Sequence, residues 1–140
     1  MFRPSFETIC MELAYRIAER SRCSRRSVGC VITDPEYNTI YSWGYNGNAR
    51  GLENNCDDPK KSGGCGCLHA EDNAAVNSTA KFSDPKHIFV TLMPCIQCSK
   101  RLINLQNVRK VYFGELHKKC KGREMLEKSG IELIHFPIKK

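Results

Sequence analysis

The sequence predicts an α/β protein, a three-layer α/β/α arrangement around a five-stranded mixed sheet, within one domain spanning residues 1–140. Three observations carry this expectation. The length suits one hydrophobic core and leaves little room for two. The N-terminal half holds two β-rich segments about a turn. The C-terminal half alternates helical and strand patterns, and such a ladder makes at least part of the sheet parallel. Neither an internal repeat nor a linker interrupts it.

Each element has a local reason. Ser5, after Pro4, is placed to cap a first helix over residues 5 to about 20, where Phe6, Ile9, Cys10, Leu13, Ala14 and Ile17 recur at i, i+3 and i+4. Segments 28–33 and 39–45 are rich in β-branched and aromatic residues and flank the turn-forming run Asp34-Pro-Glu-Tyr-Asn38, which predicts an antiparallel pair. Residues 46–68 have no apolar period and are crowded with Gly, Asn, Asp, Lys and Cys. A loop that long in so small a domain is expected to serve function or to need pinning. Beyond it come a helix at 69–78, a strand at 87–93, a helix at 96–106, a strand at 109–114, a helix at 122–128 and a strand at 131–136. Sites are expected where strand ends open toward helix starts.

Composition narrows the class of protein. Hydrophobic residues make up 41% and charged residues 26%, a globular balance that excludes a disordered or low-complexity chain. No apolar run approaches the ~18 residues of a membrane span, and the N-terminus lacks the apolar stretch of a secretion signal, so a cytoplasmic protein is expected. Nine cysteines in a reducing compartment then point to metal or catalysis rather than to a disulfide framework. Cys10, Cys30 and Cys120 stand apart from polar clusters and are expected to be small core residues.

The chemistry concentrates at two predicted helix starts, His69-Ala-Glu71 and Pro94-Cys95-Ile-Gln-Cys98. One helical turn puts Cys95 and Cys98 on the same face. With the His69 imidazole they make three corners of a zinc tetrahedron, leaving the fourth for water. Such an ion lowers the pKa of water toward neutrality, and Glu71, two residues from the imidazole, is placed to handle the proton. The competing reading is a structural zinc completed by a further ligand, with Glu71 merely solvated.

His-x-Glu followed by Pro-Cys-x-x-Cys is the signature of zinc nucleobase deaminases. Together with Arg20-Ser-Arg-Cys23-Ser-Arg25, Val28-Gly29, Gly44-Tyr-Asn-Gly47, Gly51, His69-Ala-Glu-Asp-Asn-Ala74 and Val90-Thr-Leu-Met-Pro-Cys-Ile-Gln-Cys98, it resembles the deoxycytidylate deaminases of bacteria and phages from about Arg20 to Phe113. The resemblance implies the cytidine deaminase-like fold and hydrolytic deamination of dCMP to dUMP, a precursor for dTMP synthesis. In that reaction hydroxide adds to C4 while Glu71 protonates N3 and then the leaving ammonia. It also implies a sugar contact for Asn46, a contact of the Ala70 backbone with the base carbonyl, and a place for Thr91 and Leu92 near the exocyclic amine. The family further implies a hexamer activated by dCTP and inhibited by dTTP with Mg²⁺, which makes Asn46, Arg50 and Gly51 allosteric candidates. The cytoplasm in question would be that of a bacterium or a phage-infected host. Asn46-Gly47 is also a common turn signal in its own right.

Two further groups stand out. Cys56, Cys65 and Cys67 lie in the long loop, and Cys23 occupies a position where family members with a second zinc also have a cysteine. The four could close a structural Zn²⁺ site that orders the loop, although Cys65-x-Cys67 departs from the usual two-residue gap and the loop lacks the family's histidine. Arg16, Arg20, Arg22, Arg25 and Arg26 fall within eleven residues, and Arg25 or Arg26 is expected to pair with a 5′-phosphate, Arg25 matching a basic position in similar proteins. His117 and Cys120 sit in the basic segment 115–121, read first as a solvated connection and second as a phosphate contact, and His87 and His135 are read as packed or partly exposed side chains. Alternatives at this stage are a deaminase of dCTP, of cytidine or of a base in nucleic acid, and a zinc-stabilised nucleic-acid-binding module suggested by the pI of 9.0. The aromatic residues fall in predicted strands and the first helix rather than along a groove, so no nucleic acid partner is required.

Overall fold

Ser5 caps the first helix by accepting the Thr8 N–H at 3.1 Å, and from there a computed structural model describes residues 2–23, 25–58, 65–117 and 121–138. The elements are α1 (Phe6–Ala18), β1 (Gly29–Thr33), β2 (Ile40–Tyr45), α2 (Ala70–Asn77), β3 (Lys86–Leu92), α3 (Ile96–Asn104), β4 (Val108–Glu115), α4 (Gly122–Lys128) and β5 (Glu132–His135). Cys120 lies outside the described residues.

The strands form one sheet in the order β2-β1-β3-β4-β5. β1 pairs antiparallel with β2 and with β3, whereas β3, β4 and β5 run parallel, so the sheet is mixed as expected. The period of two sorts the strand side chains onto two faces. Val31, Phe89 and Tyr112 turn toward Cys10, Met11 and Ala14 of α1, whereas Cys30, Ile32, Ile88, Val90, Val111 and Phe113 pack with residues of α2, α3 and α4. Three layers follow. Cys10 and Cys30 are core residues on opposite faces, as the sequence suggests.

The α1 stripe differs from the expected one. Cys10, Met11, Ala14 and Ala18 are buried, while Phe6 and Ile9 are 53% and 47% exposed. Close approach sets the crossing: a Cβ on Gly29 would run into the Ala14 carbonyl, so α1 meets β1 at Ala14 and Ala18, with Met11 buried beside them and Phe6 and Ile9 left at the margin. Phe6 stacks instead on Tyr37, at 5.8 Å between centroids.

This topology brings the functional segments to one edge of the sheet. Because β1 is antiparallel to β3, its start lies beside the end of β3, and the Gly29 N–H donates to Thr91 Oγ1 at 3.2 Å. The end of β2 lies beside the start of β1, and the parallel β4 ends next to β3. Among the described residues no helix is long and apolar enough to cross a membrane.

Candidate active site

β3 runs out at Leu92, and after Met93 and Pro94 the chain starts α3 with Cys95 as its N-cap, whose sulfur accepts the Cys98 N–H at 3.4 Å. A sulfur at a helix N-terminus is held where partial positive charge favours thiolate. His69 is the N-cap of α2 and makes no side-chain capping bond, which leaves its ring free to turn outward. It is aimed by a short main-chain bridge just before it: Leu68 N–H donates to the Gly47 carbonyl at 2.7 Å and Gly47 N–H to the Leu68 carbonyl at 3.0 Å. Two helix starts thus meet. His69 Nδ1 lies 3.0 Å from Cys98 Sγ and 3.7 Å from Cys95 Sγ. Tetrahedral zinc with ordinary Zn–S and Zn–N bonds needs ligand–ligand edges of about 3.5–3.8 Å. The donor set suits that ion, the 3.7 Å edge matches it and the 3.0 Å edge would have to open slightly around it, and among the described residues no fourth His, Cys, Asp or Glu joins the group.

Glu71, the second residue of α2, follows two residues after His69 and is 5% exposed. Burial pushes its carboxyl up to about 7, against the opposing pull of its own main-chain N–H and of His69. Cys95 is drawn down to about 3, chiefly by the hydrogen bond from Cys98 and then by His69, while Cys98 moves up in turn.

A cavity of about 540 Å³ opens on these groups. His69, Ala70, Glu71 and Cys95 line it, with Val28, Asn46, Leu92 and Met93 as further wall. Basic side chains share it away from the metal group: Arg25 and Arg26 from the segment before β1, His117 after β4, and Lys121 before α4. Arg26 is tied by an ion pair to Glu115 at the end of β4, whereas Arg25 is an exposed residue of the same cavity wall.

Most of the residues singled out in the sequence meet here, with several differences. Thr91 does not line the cavity; the strand's period of two turns it inward, 3% exposed, where its hydroxyl accepts from Gly29, and Leu92 takes the wall. Asn46 lines the cavity, yet both ends of its amide are engaged, Oδ1 accepting the Val28 N–H at 2.8 Å and Nδ2 donating to the Arg26 carbonyl at 2.5 Å. Arg50 lies elsewhere, bonded through Nη2 to Asn77 Oδ1 at 2.9 Å in a second cavity with Ile40, Ser42 and Trp43. Gly51 follows at φ +88°, with open space where a Cβ would stand. His117 and Lys121, read from the sequence as part of a solvated connection, are wall residues. Only the clustering of His and Lys just after a strand end hinted at this.

The other four thiols also converge. Cys23 Sγ is 3.4 Å from Cys56 Sγ and 3.8 Å from Cys65 Sγ, and Cys67 Sγ is 3.6 Å from Cys56 Sγ. These separations are far beyond a disulfide bond and match the edges of a tetrathiolate zinc. The unusual one-residue gap works because Gly66 adopts φ +92°, a turn disfavoured for other residues, and packs where any side chain would strike the Asp57 carboxylate.

The site geometry agrees with a comparison of sequences. Residues 5–115 match the family described as the cytidine and deoxycytidylate deaminase zinc-binding region. The chain belongs to this deaminase family. Among its relatives, the deoxycytidylate deaminase of Schizosaccharomyces pombe is 31% identical over 147 residues, covering 96% of this chain and 45% of its own length. ComE operon protein 2 of Bacillus subtilis is 32% identical, covering 94% of this chain and 71% of its own. This member of the family spans a little under half the length of the curated yeast enzymes it matches, 45% in one and 46% in the other. In structure it resembles the dCMP deaminase of cyanophage S-TIM5 solved in complex with dCMP and dUMP, with TM-score 0.80 and 28% identity over 95% of this chain and 98% of that one. RibD of Acinetobacter baumannii, at 21% identity and TM-score 0.67, shares the deaminase fold.

Proposed function

We propose that this chain hydrolyses dCMP to dUMP and ammonia. The observation that carries the reading is the meeting, in one cavity, of an open three-ligand metal group, a buried carboxyl near neutrality and a cationic wall. The phage relative solved with dCMP and dUMP supports the choice of nucleotide.

His69, Cys95 and Cys98 would hold zinc, which when bound supplies the Lewis acidity that makes water a nucleophile at neutral pH. Glu71 moves the protons. It accepts one from water as oxygen adds to C4 and passes it to N3, then takes the second from the new C4 hydroxyl and delivers it to the amine nitrogen as the C4–N bond breaks. Cytosine plus water becomes uracil plus ammonia, and Glu71 is regenerated. The main chain at Ala70 meets the base carbonyl and Leu92 borders the exocyclic nitrogen. Asn46 holds the Arg26–Val28 main chain, with its amide beside the sugar. Arg25 and Arg26, joined by His117 and Lys121, take the 5′-phosphate by charge-assisted hydrogen bonds. A second zinc on Cys23, Cys56, Cys65 and Cys67 orders the long loop. Arg50 and Gly51, beside the second cavity, are the candidates for contact with Mg²⁺-bound dTTP or with dCTP, in a hexamer of the family type.

The decisive assay follows loss of cytosine absorbance with dCMP, dCTP, deoxycytidine and cytidine, for the wild type and Glu71→Ala. The expected result is turnover of dCMP well above the others and its loss in the variant. Equal turnover of deoxycytidine and dCMP would instead assign a nucleoside deaminase. A hyperbolic dCMP curve, insensitive to dCTP and to dTTP with Mg²⁺, would remove the regulatory part.

A further inference from the structure

The four-thiol cluster does not stand beside the active site but forms part of it. Cys23, Cys65 and Cys67 line the same cavity as His69 and Glu71, and only Cys56 stands behind them. The cluster joins two segments with different duties. Cys23 lies two residues before Arg25 on the phosphate side. Cys67 lies two residues before His69 on the side of the chemistry.

The two sides are unequally supported without that junction. His69 and Glu71 start a helix whose Ala70 and Ala74 are in the core, and the Gly47–Leu68 bridge fixes the chain before it. The facing thiols are placed by α3, itself anchored by Cys98 and Leu102. By contrast, the stretch between α1 and β1 is irregular, and Arg22, Arg25, Arg26 and Ser27 are exposed. Among the described residues, and apart from the thiols, this stretch is held by the Ser21 hydroxyl to the Cys23 N–H at 3.2 Å, by Asn46 to the Arg26 carbonyl and the Val28 main chain, and by Arg26 to Glu115. None of these fixes the position of the Arg25 guanidinium.

We propose that metal bound by Cys23, Cys56, Cys65 and Cys67 sets the substrate's phosphate specificity, by holding Arg25 and Arg26 at a fixed distance from His69 and Glu71. The inference rests on the nucleotide-deaminase reading of the site. A divalent ion that favours sulfur, zinc above all, suits four thiolates at these separations. The four cysteines act as positioning residues: the base and its chemistry stay with the helix starts, and the ion determines whether the phosphate meets its cations. Discrimination between dCMP and deoxycytidine, rather than turnover of the base, is therefore the property tied to the second metal.

The test compares the wild type with Cys56→Ser, the one thiol of the four that is not on the cavity wall, and with Cys56→His, which keeps a zinc-ligating group. Zinc per chain is measured by metal analysis, Co²⁺ loading is followed through the thiolate charge-transfer and d–d bands, and kcat and KM are measured separately for dCMP and deoxycytidine. Two metal equivalents are expected for the wild type and one for Cys56→Ser. In that variant the dCMP KM rises about tenfold or more, the size of a lost charge-assisted contact, while the deoxycytidine parameters move far less. Cys56→His restores the second equivalent and the preference together, and it carries the comparison if Cys56→Ser does not fold. One equivalent in the wild type would overturn the proposal, as would a preference for dCMP that survives loss of the second ion. A wild type that shows no preference for dCMP would remove the nucleotide reading itself, and the inference with it.

Discussion

Replacing Asn46 by alanine removes two hydrogen bonds that join the end of β2 to the start of β1, and the structure sets their scale. Asn46 is 8% exposed; its Oδ1 accepts the Val28 N–H at 2.8 Å and its Nδ2 donates to the Arg26 carbonyl at 2.5 Å. A bond of this kind contributes about 0.5–1.5 kcal/mol, and a fully buried main-chain group left unpaired costs about 1–3 kcal/mol. Val28 is half-buried and Arg26 exposed, so water reaches part of the vacated pair, and the loss is set at about 2 kcal/mol rather than the upper limit. For a chain of this size that lowers Tm by about 6 °C. Asn46→Asp keeps the acceptor for Val28 but sets a carboxylate against the Arg26 carbonyl, so it falls between wild type and alanine or below both. Urea unfolding followed by circular dichroism at fixed zinc gives the free-energy differences, and dCMP kinetics on the same samples report the position of Arg25 and Arg26. Asn46→Ala within about 0.3 kcal/mol of wild type, with an unchanged KM, would refute the bracing role argued here.

Three further outcomes follow from separate parts of the structure. Arg25→Ala raises the dCMP KM by tenfold or more while leaving deoxycytidine unchanged, and Arg26→Ala has a smaller effect because Glu115 already shares that guanidinium; identical KM values in both variants would contradict the phosphate assignment. Gly29→Ala drives a methyl into the Ala14 carbonyl and destabilises the fold by about 1–3 kcal/mol, read as a fall in Tm, and an unchanged Tm would show that α1 does not approach β1 so closely. His87, buried against Tyr37 with its Nδ1 3.0 Å from the phenol oxygen, has its pKa lowered from 6.5 by burial and then by Lys110. The unfolded chain therefore takes up the proton first. Stability from neutral His87 is whole above about pH 6.5 and is lost as pH falls through the depressed folded value. Wild type should lose more unfolding free energy than His87→Gln between pH 7 and pH 5, and parallel pH profiles would contradict this.

The parts of this molecule that were legible in its sequence are those whose signal is local. Val31, Phe89 and Tyr112 alternate with neighbours that face the other way, and that period is written within each strand. His69, Glu71, Cys95 and Cys98 belong to two short motifs at helix starts, so their convergence needed only the expected strand-to-helix order. What escaped depends on contacts between distant segments. The α1 stripe matches at Cys10 and Ala14 and departs at Phe6 and Ile9, which are exposed, and at Met11 and Ala18, which are buried, because the crossing is set by Gly29, a partner on another element. His117 and Lys121 reach the cavity only because β4 lies parallel beside β3, a fact of sheet order that the basic segment itself does not carry. The Cys65-x-Cys67 gap looked unsuited to a metal because spacing rules assume an ordinary backbone, and the φ of Gly66 is not ordinary.

The most direct examination of the central claim is a crystal structure of Glu71→Gln grown with dCMP, with anomalous scattering recorded on both sides of the zinc edge. The account predicts an ion bound by His69 Nδ1, Cys95 Sγ and Cys98 Sγ with no fourth protein ligand, cytosine C4 turned toward it, and the phosphate among Arg25, Arg26, His117 and Lys121. An ion closed off by another side chain, or a base bound with C4 facing away from residue 71, would contradict it.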